Sequence, residues 1–284
     1  MTSGQYILRV SAPDAIGILA DVMGHLARHK LNVLESHDFS DPETKRFFIW
    51  ARFEAASDFE QGAFDEQFTA LAERLEIDWS LRRRDHQPRT LIMVSKGDHC
   101  LNDLLYRHRR GRLGTKIVGI ASNHRDAIWH AERHDIPFYH IPVSAETKAE
   151  AETRLLNLIE ETNIDLVILA RYMQILSNSL ARTLEGRCIN IHHSALPSFK
   201  GARPYHQAHE RGVKLMGATA HYVTADLDEG PIITQDVTPV DHRMTADRMA
   251  ELGKDIEARV LARAVTAHAE GRVFLNQKRT VVFE

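Results

Sequence analysis

Three stretches of this chain carry side chains of the kinds that move protons or stabilise charge. The first is Asn190-Ile191-His192-His193-Ser194. On an extended segment residues two apart face the same way, so Asn190 and His192 bring an amide N–H and an imidazole to one point, a pair suited to holding an oxyanion. The second is Asp226-Leu227-Asp228-Glu229-Gly230, where Gly230 permits a tight backbone and Pro231 fixes the exit, holding one carboxylate rigidly. The third is Ser95-Lys96-Gly97-Asp98-His99, directly after an apolar run. Its single glycine cannot build the multi-glycine loops that cradle phosphate, so neither dinucleotide nor ATP binding is expected, and Lys96 and Asp98 read equally well as loop and capping residues.

Taken singly, the Asn-x-His pair is compatible with an ordinary loop network and the acidic stretch with an exposed turn. His192 and His193 would point to opposite faces of a strand and no HExxH-like spacing accompanies them, so no metal is expected. Amide, imidazole and carboxylate together suit attack on a carbonyl without a covalent enzyme intermediate.

The elements that must position these residues follow from periodicity. Residues 6–10 read as a strand broken at Ala12-Pro13-Asp14, and Ile18, Leu19, Val22, Met23 and Leu26 recur at helical spacing. Residues 32–37 and 47–53 form a hairpin about Ser40-Asp41-Pro42-Glu43; Phe64, Phe68, Leu71 and Leu75 mark a second helix, and 77–81 an edge strand. The order βαββαβ is ferredoxin-like. Arg82, Arg83 and Arg84, followed by Asp85, His86, Gln87 and Pro88, read as a solvated linker.

Beyond it the pattern becomes parallel α/β. Apolar strands are expected at 91–94, 117–121, 138–141, 166–169 and 188–191, with helices at 100–108, 126–134 and 145–162 between them. Strands at 218–223 and 232–237 flank the acidic loop, and a last helix spans 246–269. The fold class is therefore α/β, a ferredoxin-like domain over 1–84, a linker at 85–89, and a doubly wound, mostly parallel sheet over 90–284. In such sheets ligands bind beyond the carboxyl ends of the strands, which is where the three stretches fall.

Composition bounds the remainder. The 284 residues, 43% hydrophobic and 26% charged with a net charge of −3, describe an ordinary globular protein with no general field for nucleic acid or anionic membranes. Cys100 and Cys188, without CxxC spacing, indicate neither a disulfide framework nor a cysteine zinc site. No apolar run approaches the ~18 residues of a membrane span, and a cytoplasmic location is expected. Histidine is the odd count at 17; His192 has the strongest chemical company, while His99, His193, His206 and His221 are neighbours with weaker claims.

The strings NIHHSALPSFKGARPYHQA from Asn190, GATAHYVTADLDEGPII from Gly217 and VDHR from Val240 closely resemble the formyltetrahydrofolate deformylase family, within the folate-dependent formyltransferase superfamily. Agreement of several spaced motifs in order makes the resemblance specific from about residue 90 onward. Residues 12–20, APDAIGILA, separately look like an ACT domain, the small amino-acid-sensing module, and deformylases pair the two.

The resemblance implies a formyltransferase-like Rossmann variant hydrolysing 10-formyltetrahydrofolate to formate and tetrahydrofolate, for purine synthesis and folate recycling. Asn190, His192 and Asp228 match the catalytic trio. Leu169, Met173 and Leu176 would line an apolar pteridine slot, with Gln174, Ser194, Gly201, His221 and Thr224 as further substrate contacts. Asp14, Gly17 and Asn32 fall where ACT domains bind an amino acid such as glycine or methionine, between the subunits of a homodimer or homotetramer. No cofactor or metal is implied. Competing readings are formyl transfer to an amine and a non-catalytic folate or amino-acid sensor. The absent phosphate loop disfavours a nucleotide-like acceptor, the net charge a transfer-RNA acceptor, and the intact trio the sensor.

Overall fold

Helical spacing of Ile18, Val22 and Leu26 and of Phe64, Phe68 and Leu71 gives each of the first two helices one apolar face, and a single sheet receives both. The computed structural model describes residues 4–194 and 204–284. The first elements are β1 (Gly4–Pro13), α1 (Ile18–Arg28), β2 (Asn32–Asp41), β3 (Arg46–Ala55), α2 (Gln61–Leu75) and β4 (Asp78–Arg83). Their strands pair antiparallel in the order β2-β3-β1-β4, the ferredoxin-like arrangement. Leu8, Val10, Ile49, Ala51 and Phe53 meet the helices.

Three local expectations shift. β1 continues through Ala12 to Pro13, which lies at the strand end opposite Arg46. Ser40 and Asp41 belong to β2 and not to the turn. Arg82 sits inside β4, where burial, reinforced by Arg9, pushes its guanidinium down to about 10, so it is no solvated linker residue.

The chain forms two units: Met1–His86 with Glu270–Asn276 and Thr280–Glu284, and Gln87–Ala269 with Gln277–Arg279. The expected second domain ran to residue 284, whereas nearly all of the last fifteen residues join the first unit. β12 (Val273–Asn276) and β13 (Arg279–Val282) form a hairpin. Phe274 and Phe283 pack with Ile7, Phe48 and Trp50 on the sheet face that the helices leave open. The Trp50 indole donates to the Glu270 carbonyl at 3.1 Å, and the Asn276 amide to Asp41 at 2.5 Å. The cause is visible in β3, whose run Phe48-Ile49-Trp50-Ala51 is buried on alternate residues of both faces.

The second unit contains β5 (Arg89–Val94), α3 (His99–Arg109), β6 (Lys116–Ser122), α4 (Ile128–His134), β7 (Phe138–His140), α5 (Lys148–Glu161), β8 (Leu166–Leu169) and α6 (Asn178–Thr183). There follow β9 (Cys188–His192), α7 (Pro204–Glu210), β10 (Leu215–Tyr222), β11 (Ile232–Pro239) and α8 (Ala246–Ala269). The sheet order is β11-β10-β9-β8-β5-β6-β7, parallel from β9 to β7 and antiparallel at β10 and β11. Strand order reverses beside β5, which opens a crevice at the carboxyl ends of β5 and β8. The short helices α6 and α7 carry too few turns to show periodicity and were not anticipated. Among the described residues no helix is long and apolar enough to cross a membrane.

Candidate active site

β9 is a short strand whose alternation puts Asn190 and His192 on one face, and the antiparallel register sets His221 of β10 directly opposite Asn190. The Asn190 amide nitrogen lies 3.2 Å from His221 Nε2. His221 Nδ1 lies 2.9 Å from the Tyr222 carbonyl, which can only accept, so Nδ1 carries the proton and Nε2 accepts from Asn190. A buried histidine thus fixes which way the Asn190 amide points.

The loop between β10 and β11 delivers the carboxylate. Thr224 Oγ1 donates to the Asp226 carbonyl at 3.0 Å, and Glu229 N closes a turn on the same carbonyl. Asp228 sits in the left-handed region at φ 57°, which Asp tolerates better than most residues. Gly230 is required by close approach: a β-carbon there would lie 1.7 Å from the Tyr222 carbonyl oxygen. Asp228 Oδ2 comes to 3.3 Å from His192 Nδ1. Oδ1 stands 3.7 Å from His221 Nε2, beyond hydrogen-bond distance. The His192 contact outweighs partial burial and holds the Asp228 carboxyl well below the usual carboxylate range. Asp228 is therefore an anion at any physiological pH.

These groups open on a solvent-connected cavity. Of the expected substrate contacts, Leu169, Met173, Gln174, Leu176, His221 and Thr224 line it, together with Asn190, His192 and Asp228. The structure does not bring Ser194 to the wall, and the Ser194 carbonyl instead accepts from Thr219 Oγ1 at 2.9 Å. Gly201 lies outside the described residues. The segment after β8 is irregular backbone with Met173 61% and Ile175 60% exposed, so its apolar residues are not helix core. Ser95 at the end of β5 pins it, its hydroxyl accepting from Met173 N at 2.9 Å and donating to Asn123 at 2.7 Å. Arg171 and His193 also line the cavity and were not singled out as contacts.

His193 does not turn to the opposite face as expected, because β9 ends at His192. Its ring stacks on His192 with centroids 4.6 Å apart. Burial, then His192 and Arg171, push its pKa down to about 4, and its Nδ1 faces Arg171 Nη1 at 3.3 Å. Behind it lies a buried carboxylate that sequence reasoning missed, Glu257 of α8. His99 Nε2 is 2.8 Å from Glu257 Oε2 and Arg171 Nε 3.4 Å from the same oxygen, while the Tyr205 hydroxyl donates to Oε1. Burial pushes the Glu257 carboxyl up, but these partners outweigh it and leave it below its ordinary value. The signal was present, since Glu257 interrupts the apolar stripe of Gly253, Val260 and Leu261.

His99, Cys100 and Glu257 place donor atoms within 4.8 Å of one another. The donor set does not suit a cation: Arg171 already neutralises the carboxylate, and burial holds Cys100 as a thiol well above its usual range.

The first unit places Asp14 and Gly17 in the turn between β1 and α1, Gly17 at φ 95°, with Asp14 accepting from Ser40 Oγ, and Asn32 at the exposed start of β2.

A family model described as formyl transferase matches residues 88–265. A formyltetrahydrofolate deformylase from Corynebacterium sp. (strain P-1) is 49% identical over 280 residues, covering 98% of each chain. A crystal structure of a formyltetrahydrofolate deformylase from Burkholderia mallei superposes with a TM-score of 0.95 at 50% identity, over 99% of this chain and 100% of that one. A glycinamide ribonucleotide transformylase from Symbiobacterium toebii gives a TM-score of 0.67 at 29% identity, over 72% of this chain and 98% of its own.

Proposed function

The chain belongs to the formyl transferase family, as one of its formyltetrahydrofolate deformylases, and from that premise we propose that Asn190, His192 and Asp228 carry out its hydrolysis of 10-formyltetrahydrofolate to formate and tetrahydrofolate. The observation that carries this reading is the convergence of the three groups on one open cavity lined by Leu169, Met173 and Leu176.

Asp228 holds a water by its ionised carboxylate and takes a proton from it as the oxygen bonds to the formyl carbon. A carboxylate with so depressed a pKa is a weak base toward free water. Its work is orientation first, and proton acceptance once the attacking water has become acidic through bond formation. The Asn190 amide, aimed by His221, and the His192 ring beside Asp228 stabilise the oxyanion. The C–N10 bond then breaks, N10 takes the proton, and formate leaves. Leu169, Met173 and Leu176 pack the pteridine, with Gln174 and Thr224 on its polar edges, while His221, whose two ring nitrogens are already engaged, acts through Asn190. No cofactor enters this scheme.

For the first unit we propose an ACT role, with glycine or methionine bound near Asp14, Gly17 and Asn32. β2 is an edge strand with Val33, Leu34 and Phe39 exposed, and this supports pairing into a homodimer or homotetramer.

The test incubates the purified protein with 10-formyltetrahydrofolate and no amine. Formate and tetrahydrofolate are expected in equal amounts; product only when an amine is added overturns the reading. Titrating glycine and methionine during the same assay tests the ACT role, which falls if neither rate nor binding heat changes.

A further inference from the structure

Hydrolysis and formyl transfer differ only in the nucleophile. In either, oxygen or nitrogen bonds to the formyl carbon and loses a proton, the C–N10 bond breaks, and N10 takes a proton. Asn190, His192 and Asp228 serve both equally. The Symbiobacterium protein, described as a transformylase, shares the fold over 72% of this chain. The choice of acceptor therefore lies in what can reach the carbon.

In a doubly wound sheet, reactants gather beyond the carboxyl ends of the strands where the order reverses, here over β5 and β8. Over β8 this ground is the open cavity. Over β5 it is filled by His99 at the start of α3, Tyr205 of α7, Glu257 of α8 and Arg171. The Glu257 side chain is 1% exposed and that of His99 20%. The Tyr205 ring packs onto Gly253, one helical turn before Glu257, so closely that a β-carbon there would lie 2.3 Å from the ring. Each partner on Glu257 is directional, and a buried carboxylate that loses one is left uncompensated, so the cluster stays shut. It reaches the reacting groups through His193, which faces Arg171 and stacks on His192. His192 thus has open cavity on one side and a packed ionic wall behind its neighbour.

We infer that the Glu257–His99–Arg171–Tyr205 cluster is a stopper that fills the approach an amine would use, and that His99 and Tyr205 thereby determine water as the acceptor. The inference rests on the hydrolytic reading above. It differs from a structural role in its readout, since a cluster that only stabilised the fold would not alter how the formyl group is partitioned.

The test supplies 10-formyltetrahydrofolate and glycinamide, a small primary amine, at pH 8, where about half of an ordinary α-amine is unprotonated, and quantifies N-formylglycinamide against formate. The wild-type protein is expected to give formate. Tyr205→Ala and His99→Gly, shown folded by thermal unfolding, each raise the ratio of formylated amine to formate at least tenfold. Tyr205→Phe, which keeps the ring, retains the wild-type ratio. Should the truncations not fold, Tyr205→Leu and His99→Asn, which trim volume while Asn keeps a donor for Glu257, carry the same expectation. Folded opened variants with the wild-type ratio overturn the stopper, as does a rise in Tyr205→Phe equal to that in Tyr205→Ala. Absence of formate from the wild-type protein without amine is a separate failure, of the hydrolytic reading itself.

Discussion

Two imidazoles in the site, His221 and His192, face a neighbour that can only accept. The Tyr222 carbonyl fixes the His221 proton on Nδ1, leaving Nε2 to hold the Asn190 amide, and the Asp228 carboxylate accepts from His192 Nδ1, so it is the doubly protonated ring that offers Nε2–H to the oxyanion. Asn190→Ala is expected to lower kcat by ~10²–10³-fold with the fold intact, the usual loss for one preorganised oxyanion donor; near-normal turnover would remove Asn190 from the chemistry. The Asp228 carboxyl carbon, followed by NMR, should keep its ionised shift to lower pH than an ordinary Asp, which titrates at about 3.9. Because the folded-state value is depressed, this carboxyl stabilises the fold at pH above its unfolded value, and that stability is lost as pH falls through the folded one. The pairing of Asn190 with His192 is legible because a two-residue spacing is local, whereas the acidic turn offers several carboxylates and Asp228 is singled out in the sequence only by the family resemblance. The direction of His193 is not legible: it depends on where the strand ends, and only the packing against Arg171 shows that.

The elements place these residues by close approach more than by flexibility. Gly230 lets the 226–230 loop lie against the Tyr222 carbonyl, so Gly230→Ala must push that loop away and Asp228 with it. We expect kcat to fall ~10²-fold, the scale of loss for a displacement near 1 Å at a reacting group, with thermal unfolding little changed; wild-type kcat would show that the loop tolerates the side chain. β5, β8 and α8 were read nearly to their ends because they have long periodic or fully buried runs, whereas β1 and β2 continue past the breaks expected at Ala12 and Ser40. In the segment after β8, Met173 and Ile175 are apolar residues turned outward at the cavity mouth, which suits the slot that the resemblance implies there. Glu257 went unnoticed as a charge on an otherwise apolar helix face.

On the scale of the molecule, the chain returns at its end to the unit with which it began. Sequence reading ended the second domain at residue 284, yet β3 carried the contrary signal, since Phe48 and Trp50 on the face away from the helices need a cover, which Phe274 of β12 and Phe283 after β13 supply. Phe274, packed edge-on against Phe48 and Phe283 with Arg9 over its ring, is 4% exposed. Phe274→Ala should destabilise the first unit by ~3–5 kcal/mol in chemical denaturation; a change below about 1 kcal/mol, the scale of a minor core substitution, would mean that the hairpin is dispensable. The function of the whole rests on one claim, that a water held by Asp228 attacks the formyl carbon directly. A single turnover in ¹⁸O-enriched water measures it: the account predicts formate carrying one ¹⁸O and an unlabelled Asp228, and unlabelled formate with the heavy oxygen retained in Asp228 would contradict it.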